Sequence, residues 1–271
     1  GAAVATAFDI ANASYDSVSF SMSAQESSGF AIGFNNNGTK MYMVGTNNDT
    51  VYQYSLSTAF DLSTASYDSV SFSVASQETA PRAVLFNGDG TKMYVGGNAS
   101  VSLFQYSLST AFDLSTTSYD SVSFSVSSQD TTPLSFVFNA DGTKMYMAGA
   151  GNLKIFQYSL STAFDLSTTS YDSVSSITTE GGSPYSVRFN DSGTKMYVMG
   201  GSTATVYQYS LSTAFNVGTA SYDSVSFSVS SQDSPAYAIA FSSNGTKMYT
   251  VGSNTDSIFQ YSTSASATAT V

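Results

Sequence analysis

Gly142-Thr143-Lys144-Met145-Tyr146 decides the fold, because the chain writes it five times, also at Gly38 to Tyr42, Gly90 to Tyr94, Gly193 to Tyr197 and Gly245 to Tyr249. The copies stand 52 residues apart, 51 in one case, and a Tyr/Phe-Gln-Tyr triplet and the phrase Ser-Tyr-Asp-Ser-Val recur at the same period. A unit this long, holding several short apolar runs, cannot bury its apolar surface alone. Neighbouring copies must therefore stack into one body.

Within each unit four apolar patterns order the strands. Strand A is a short run ending in Phe: Phe30 to Phe34, Arg82 to Phe86, Leu134 to Phe138, Tyr185 to Phe189 and Tyr237 to Phe241. A turn such as Asn37-Gly38 or Asp141-Gly142 follows, a strong hairpin signal because both residue types tolerate positive φ. Strand B, Lys144-Met145-Tyr146-Met147 and its copies, is apolar on both faces and so lies between neighbouring sheets. Strand C carries the Gln triplet, as in Ile155-Phe156-Gln157-Tyr158. Strand D alternates strictly, Ser69-Val70-Ser71-Phe72-Ser73-Val74, with one face apolar and the other all Ser, which suits the half-exposed outer edge. Four antiparallel strands per unit, ordered from axis to rim, predict an all-β, five-bladed β-propeller.

Counting strands shows how the ring closes. Residues 25–262 hold five A, five B and five C strands but four D strands, and the missing one lies at the N-terminus as Ser17 to Met22. Residues 15–24 are thus expected to complete the last blade, because an open ring would leave long apolar edges. The expected organisation is a single propeller over 1–262 followed by a small polar tail, 263–271. One outer strand departs from the pattern: after Val174 the chain reads Ser-Ser-Ile-Thr-Thr-Glu, one residue short and without the Phe found at Phe72 and Phe124. A one-residue slip exchanges inward and outward faces, so this strand is expected to be bulged or cut short.

Composition narrows the chemistry. Eight Lys and Arg against 19 Asp and Glu give a net charge of −11, which repels nucleic acid and anionic membranes. The chain has no Cys and no His, hence no thiolate nucleophile and no imidazole base or ligand. No apolar run approaches the roughly 18 residues of a membrane helix, so membrane insertion is not expected. The start at Gly1 reads as a trimmed N-terminus without a signal peptide before Ala7.

Slots that never vary read as structural: Phe34 and its equivalents as core, Tyr42 as packing between sheets, Lys40 as a turn residue. Slots where near-identical repeats disagree are more informative, since packing alone would accept one residue throughout. The first residue of strand A is such a slot, holding Phe30, Arg82, Leu134, Tyr185 and Tyr237. The B–C loops, which share its end of the blade, also vary. Five A positions would ring the channel mouth, and three aromatics, an Arg and a Leu there form a candidate ligand pocket.

Carboxylates recur in two places. The D–A loops carry Glu26, Glu78, Asp130 and Asp233, and the C–D stretch carries pairs such as Asp61 and Asp68. Such oxygen-rich loops leave Ca²⁺ open as a ligand. Asp beside Ser or Thr equally well closes an Asx turn. Glycosidase chemistry needs two carboxylates roughly 5–9.5 Å apart. The A strands contain none, and Glu occurs at 26, 78 and 180, always in D–A loops, so an enzyme is not expected.

Asn139-Ala140-Asp141-Gly142-Thr143-Lys144-Met145-Tyr146-Met147 and Ser161-Thr162-Ala163-Phe164-Asp165-Leu166-Ser167-Thr168 resemble blades of bacterial and phage propellers. The first resembles the surface-layer (YVTN-type) family. The near-perfect copies resemble propellers of marine phages and environmental bacteria. The resemblance covers nearly the whole chain and implies the propeller fold. It further implies a non-catalytic structural or binding module of a virion or cell surface, with other virion or surface-layer subunits, or a cell-surface glycan, as partners and an extracellular or virion location. The alternative is a lectin-like propeller that binds a glycan or small ligand at the channel mouth. The Trp-Asp dipeptide of WD repeats is absent, and without Trp the sugar sites of tachylectin-like propellers do not transfer.

Overall fold

Each repeat folds as one four-stranded antiparallel sheet, and residues 7–178 and 180–263, which the computed structural model describes, hold five such sheets. Blade 1 runs outward through A (Gly29–Phe34), B (Lys40–Gly45), C (Thr50–Leu56) and D (Ala65–Ser73). Blade 2 uses Pro81–Phe86, Lys92–Gly97, Ser102–Leu108 and Thr117–Ser125. Blade 3 uses Pro133–Phe138, Lys144–Gly149, Lys154–Leu160 and Thr169–Ile177. Blade 4 uses Pro184–Phe189, Lys195–Gly200, Thr205–Leu211 and Ala220–Ser228. Blade 5 has Ala236–Phe241, Lys247–Gly252 and Ser257–Ser262, and its D strand is Ser14–Ser21 from the N-terminus. The five A strands touch one another in a closed circuit around the axis, blade 5 against blade 1, so the molecule is a five-bladed β-propeller.

The closure is as expected from the count of strands. Ser14–Ser21 pairs antiparallel with Ser257–Ser262, placing Phe20 opposite Ile258. Phe8 N–H donates to the Gly245 carbonyl at 2.7 Å, and Thr263 Oγ1 donates to the same carbonyl at 2.6 Å, so both crossing segments are tied to one turn. Residues 1–6 and the rest of the expected tail, 264–271, lie outside the described residues.

Each residue of the recurring signature has a fixed place in the blade. Gly142 has φ +71°, and a Cβ there would lie 2.2 Å from the Phe164 ring, so glycine is required both by the turn and by the ring seated on it. Met145 is fully buried. Tyr146 is buried too, and its hydroxyl donates to the backbone carbonyl of Phe215 in the next blade. The equivalent bonds from Tyr42, Tyr94, Tyr197 and Tyr249 go to Phe112, Phe164, Phe8 and Phe60, all between 2.5 and 2.8 Å. Each blade is thereby fastened to its neighbour. Every accepting Phe holds the left-handed backbone conformation, φ +59° to +62°.

Two structural readings are corrected. Lys40 is not a turn residue: it opens strand B and forms an ion pair with Asp68, and Lys92 with Asp120, Lys144 with Asp172, Lys195 with Asp223 and Lys247 with Asp16 pair likewise, at 2.6 to 3.1 Å. Phe34 and its equivalents pack against the core clusters rather than lying wholly inside them. They are half-buried and line the opposite end of the channel, where Phe34 packs on Tyr249 at 4.6 Å.

The divergent outer strand is also corrected, since Thr169–Ile177 is nine residues long like its neighbours and keeps their register against strand C. A bulge is present there, yet every D strand has one at the same place, with the Ser of Asp-Ser-Val at φ +57° to +59°. The missing residue is absorbed by the D–A loop that follows. Its cost falls on side chains. Phe20, Phe72, Phe124 and Phe227 each pack edge-on against a Tyr of the next blade's C strand, 5.3 to 5.6 Å between centroids. Blade 3 offers Ser176 instead, leaves Ile177 62% exposed, and buries Thr178 where other blades bury Val74, Val126 or Val229.

Replacing Ser176 by Phe, with Ile177→Ser, restores the edge contact to Tyr209 and is expected to stabilise the fold by about 0.5–1.5 kcal/mol, read as a higher Tm by calorimetry. A second expectation follows from the five ion pairs. Burial works to raise the pKa of Asp16, Asp68, Asp120, Asp172 and Asp223, but hydrogen bonds from Lys, Ser and Gln outweigh it and hold all five below the ordinary 3.8. Their contribution is fully present above 3.8 and is lost as pH falls through the lowered values. Thermal melts across an acid series should show Tm level above pH about 5 and falling steeply below about 4, with a shallower fall in Asp120→Asn.

Candidate ligand-binding site

Antiparallel topology sends the D–A connections and B–C loops to one face of the ring, here the upper face, and the A–B hairpins and C–D connections to the lower one. At the upper face every A strand has a register irregularity around its second residue, as between Pro133 and Ser135. Such a bulge re-aims a side chain. The second residues are Phe30, Arg82, Leu134, Tyr185 and Tyr237, and all five line one cavity of about 320 Å³ at the channel mouth. Asn98, Thr132, Ala150 and Ser183 from the surrounding loops complete its wall.

The five side chains are ordered around the mouth. The Arg82 guanidinium carbon lies 3.6 Å from the centroid of the Phe30 ring, a cation–π contact. Phe30 packs against Tyr237 at 4.2 Å, and Tyr237 stacks on Tyr185 at 5.4 Å with 17° between planes. The contacts run through blades 2, 1, 5 and 4, and Leu134 of blade 3 completes the circle. Phe30 is the most buried of the five at 8% exposed, and packs on Arg82 and Tyr237, whereas the other four are half-buried.

Arg82 is the electrostatic feature of this mouth. Burial lowers its pKa, partly countered by Tyr237, Tyr185 and Glu78. Its Nε is buried without a hydrogen-bond partner, and it takes part in none of the five ion pairs found among the described residues. An unpaired donor in such a place is costly unless a ligand or water completes it. No carboxylate lines this cavity among the described residues.

The recurrent acids have other occupations. Asp130 is buried and accepts from the backbone N–H groups of Thr132, Gly151 and Asn152 at 2.7, 3.2 and 2.7 Å, tying the D–A loop to the B–C loop. Glu78 does the same with Ala80, Ala99 and Ser100, and Glu26 with Ser28 and Asn48. The first Asp of each C–D pair caps a 3₁₀ turn, as Asp113 accepts from Ser115 N–H, and the second belongs to the lysine pairs. The Asx-turn reading therefore holds for Asp9, Asp61, Asp113 and Asp165. Among the described residues no three Asp or Glu gather as a cation site would require.

The sequence matches no family model and no curated protein. Among solved structures, a functionally unknown protein from Desulfotomaculum acetoxidans DSM 771 is similar with TM-score 0.50 and 9% identity, over 83% of this chain and 62% of that one. A "putative 6-phosphogluconolactonase" from Bacteroides uniformis ATCC 8492 is similar with TM-score 0.51 and 13% identity, over 82% of this chain and 63% of that one. This chain spans less than two thirds of the length of either. Identities so low speak for a shared fold alone.

The loop carboxylates generate a direct expectation. Asp130→Ala orphans three N–H groups beneath the upper face and should cost about 1–3 kcal/mol in denaturant unfolding, while a chelator leaves the wild-type midpoint unmoved.

Proposed function

We propose that this propeller is a non-catalytic binding module whose ligand enters the upper channel mouth and stacks on Tyr185 and Tyr237 while presenting a negative group to Arg82. The observation that carries the reading is the buried, unpartnered Arg82 Nε beside two half-buried stacked rings in a cavity of about 320 Å³. Apolar walls with a few convergent polar groups are the usual build of a small-ligand site. A sugar carrying a carboxylate has both required parts, a C–H face for the rings and an anion for the guanidinium.

The non-catalytic part rests on the lining, which offers neither carboxylate, imidazole nor thiol for acid–base or nucleophilic work. The setting is part of the same proposal. The blade sequences resemble surface-layer and phage propellers, so the ligand would be a cell-surface glycan and the neighbours other virion or surface-layer subunits, outside the cell or on the virion. The net charge of −11 opposes general anion attraction, so an acidic ligand would be held through the local cation Arg82.

A glycan array followed by calorimetry tests the reading. Wild type should bind glycans ending in an acidic sugar, Tyr185→Ala with Tyr237→Ala should lose at least about tenfold in affinity, equivalent to 1.4 kcal/mol, and Arg82→Met should lose the preference for acidic over neutral termini. Wild type binding no glycan would sink the proposal.

A further inference from the structure

The channel has a second end. Its lower half holds a cavity of about 520 Å³ that reaches the surface between the A–B hairpins, at exposed Asn36, Gly88, Ala140 and Ser243. The fifth residue of each A strand faces it, and the repeats disagree there as well: Gly33, Leu85, Val137, Arg188 and Ala240. Four copies are apolar or bare. One is a guanidinium.

Arg188 is held but not neutralised. Its Nη1 donates to the Val187 carbonyl at 2.7 Å and to Ser135 Oγ at 3.4 Å. Nε and Nη2 hydrogen-bond to none of the described residues, although a guanidinium carries five N–H donors in a fixed fork. Arg188 is half-buried, with its accessible surface in this cavity. Asp191 is the one carboxylate in the lining, and it is exposed and makes no ion pair with Arg188. Burial alone pushes the Arg188 pKa down to about 10, so the group stays charged at neutral pH. A half-buried cation without an ion-pair partner adds little to folding, and the other blades show that this slot packs well without one.

We propose that the lower channel is a second binding site, for a small oxyanion such as a phosphate or carboxylate group, which the free N–H fork of Arg188 holds in bidentate fashion. The site is separate from the upper mouth and does not depend on it. Its fivefold scaffold supplies its own control, because Leu85 is the same position without the charge.

Thermal melting in inorganic phosphate against chloride at matched ionic strength tests this. Phosphate should raise the wild-type Tm saturably, by at least about 2–4 °C. Lys154→Met, which removes a cation outside the channel, should keep the shift, and Arg188→Leu should lose it while melting no lower than wild type in phosphate-free buffer. An equal shift in wild type and Arg188→Leu would overturn the proposal. Crystals of wild type soaked in selenate give a readout independent of that variant's folding: an anomalous peak at the Arg188 fork supports the site, and a peak elsewhere or none at all rejects it. Sugar binding at the upper mouth is measured separately, so either site can fail without the other.

Discussion

The hydroxyl of Tyr146 on the carbonyl of Phe215, repeated once per interface around the ring, is the constraint from which the remaining geometry follows. Each such bond is worth only about 0.5–1.5 kcal/mol net, far less than the apolar burial around it. Its importance is positional. The carbonyl is available because Phe215 turns through the left-handed region, and that turn is tolerated because the ring rests on Gly193, which has no Cβ to meet it. One glycine, one strained Phe and one Tyr thus set how far each sheet can rotate against the next, and with it the bore of the channel.

On this regular frame, departures from fivefold repetition acquire meaning. The ion pairs occupy five of the eight basic residues at equivalent places. Both arginines stand instead on A strands, at opposite ends of the channel, and neither forms an ion pair among the described residues. Five aspartates are engaged by lysines, and Glu26, Glu78 and Asp130 by backbone N–H groups, so these acids do not neutralise the arginines of the bore. Two of the three basic residues outside those ion pairs, Arg82 and Arg188, thus stand where bulk solvent screens charge less than at the surface.

Much of this was legible in the sequence. The period dictated the blades, strict alternation placed the Ser-faced strand outermost, and the missing D strand forecast the closure by Ser14–Ser21. The five residues of the upper mouth were found by comparing repeats, without reference to any relative. Arg188 escaped because it sits within an apolar run, where a lone charge reads as noise unless the strand's bulge and facing are known. The shortened repeat was misread for a related reason: sequence shows that a residue is gone, but only strand pairing shows that the loop near Glu180, and not the strand, gives it up. Phe30 lines the mouth with the other four, and is buried there under the guanidinium of Arg82, a contact that a comparison of repeats does not reveal.

The strand that shuts the ring reads Ser-Tyr-Asp-Ser-Val-Ser-Phe-Ser, letter for letter the text of the outer strands of blades 1, 2 and 4. Nothing in its side chains distinguishes the last blade of its own molecule from that of another copy, so self-recognition comes from tethering: the short covalent path through residues 22–28 keeps its local concentration high. A second copy would compete for that edge only at concentrations that rival the tether.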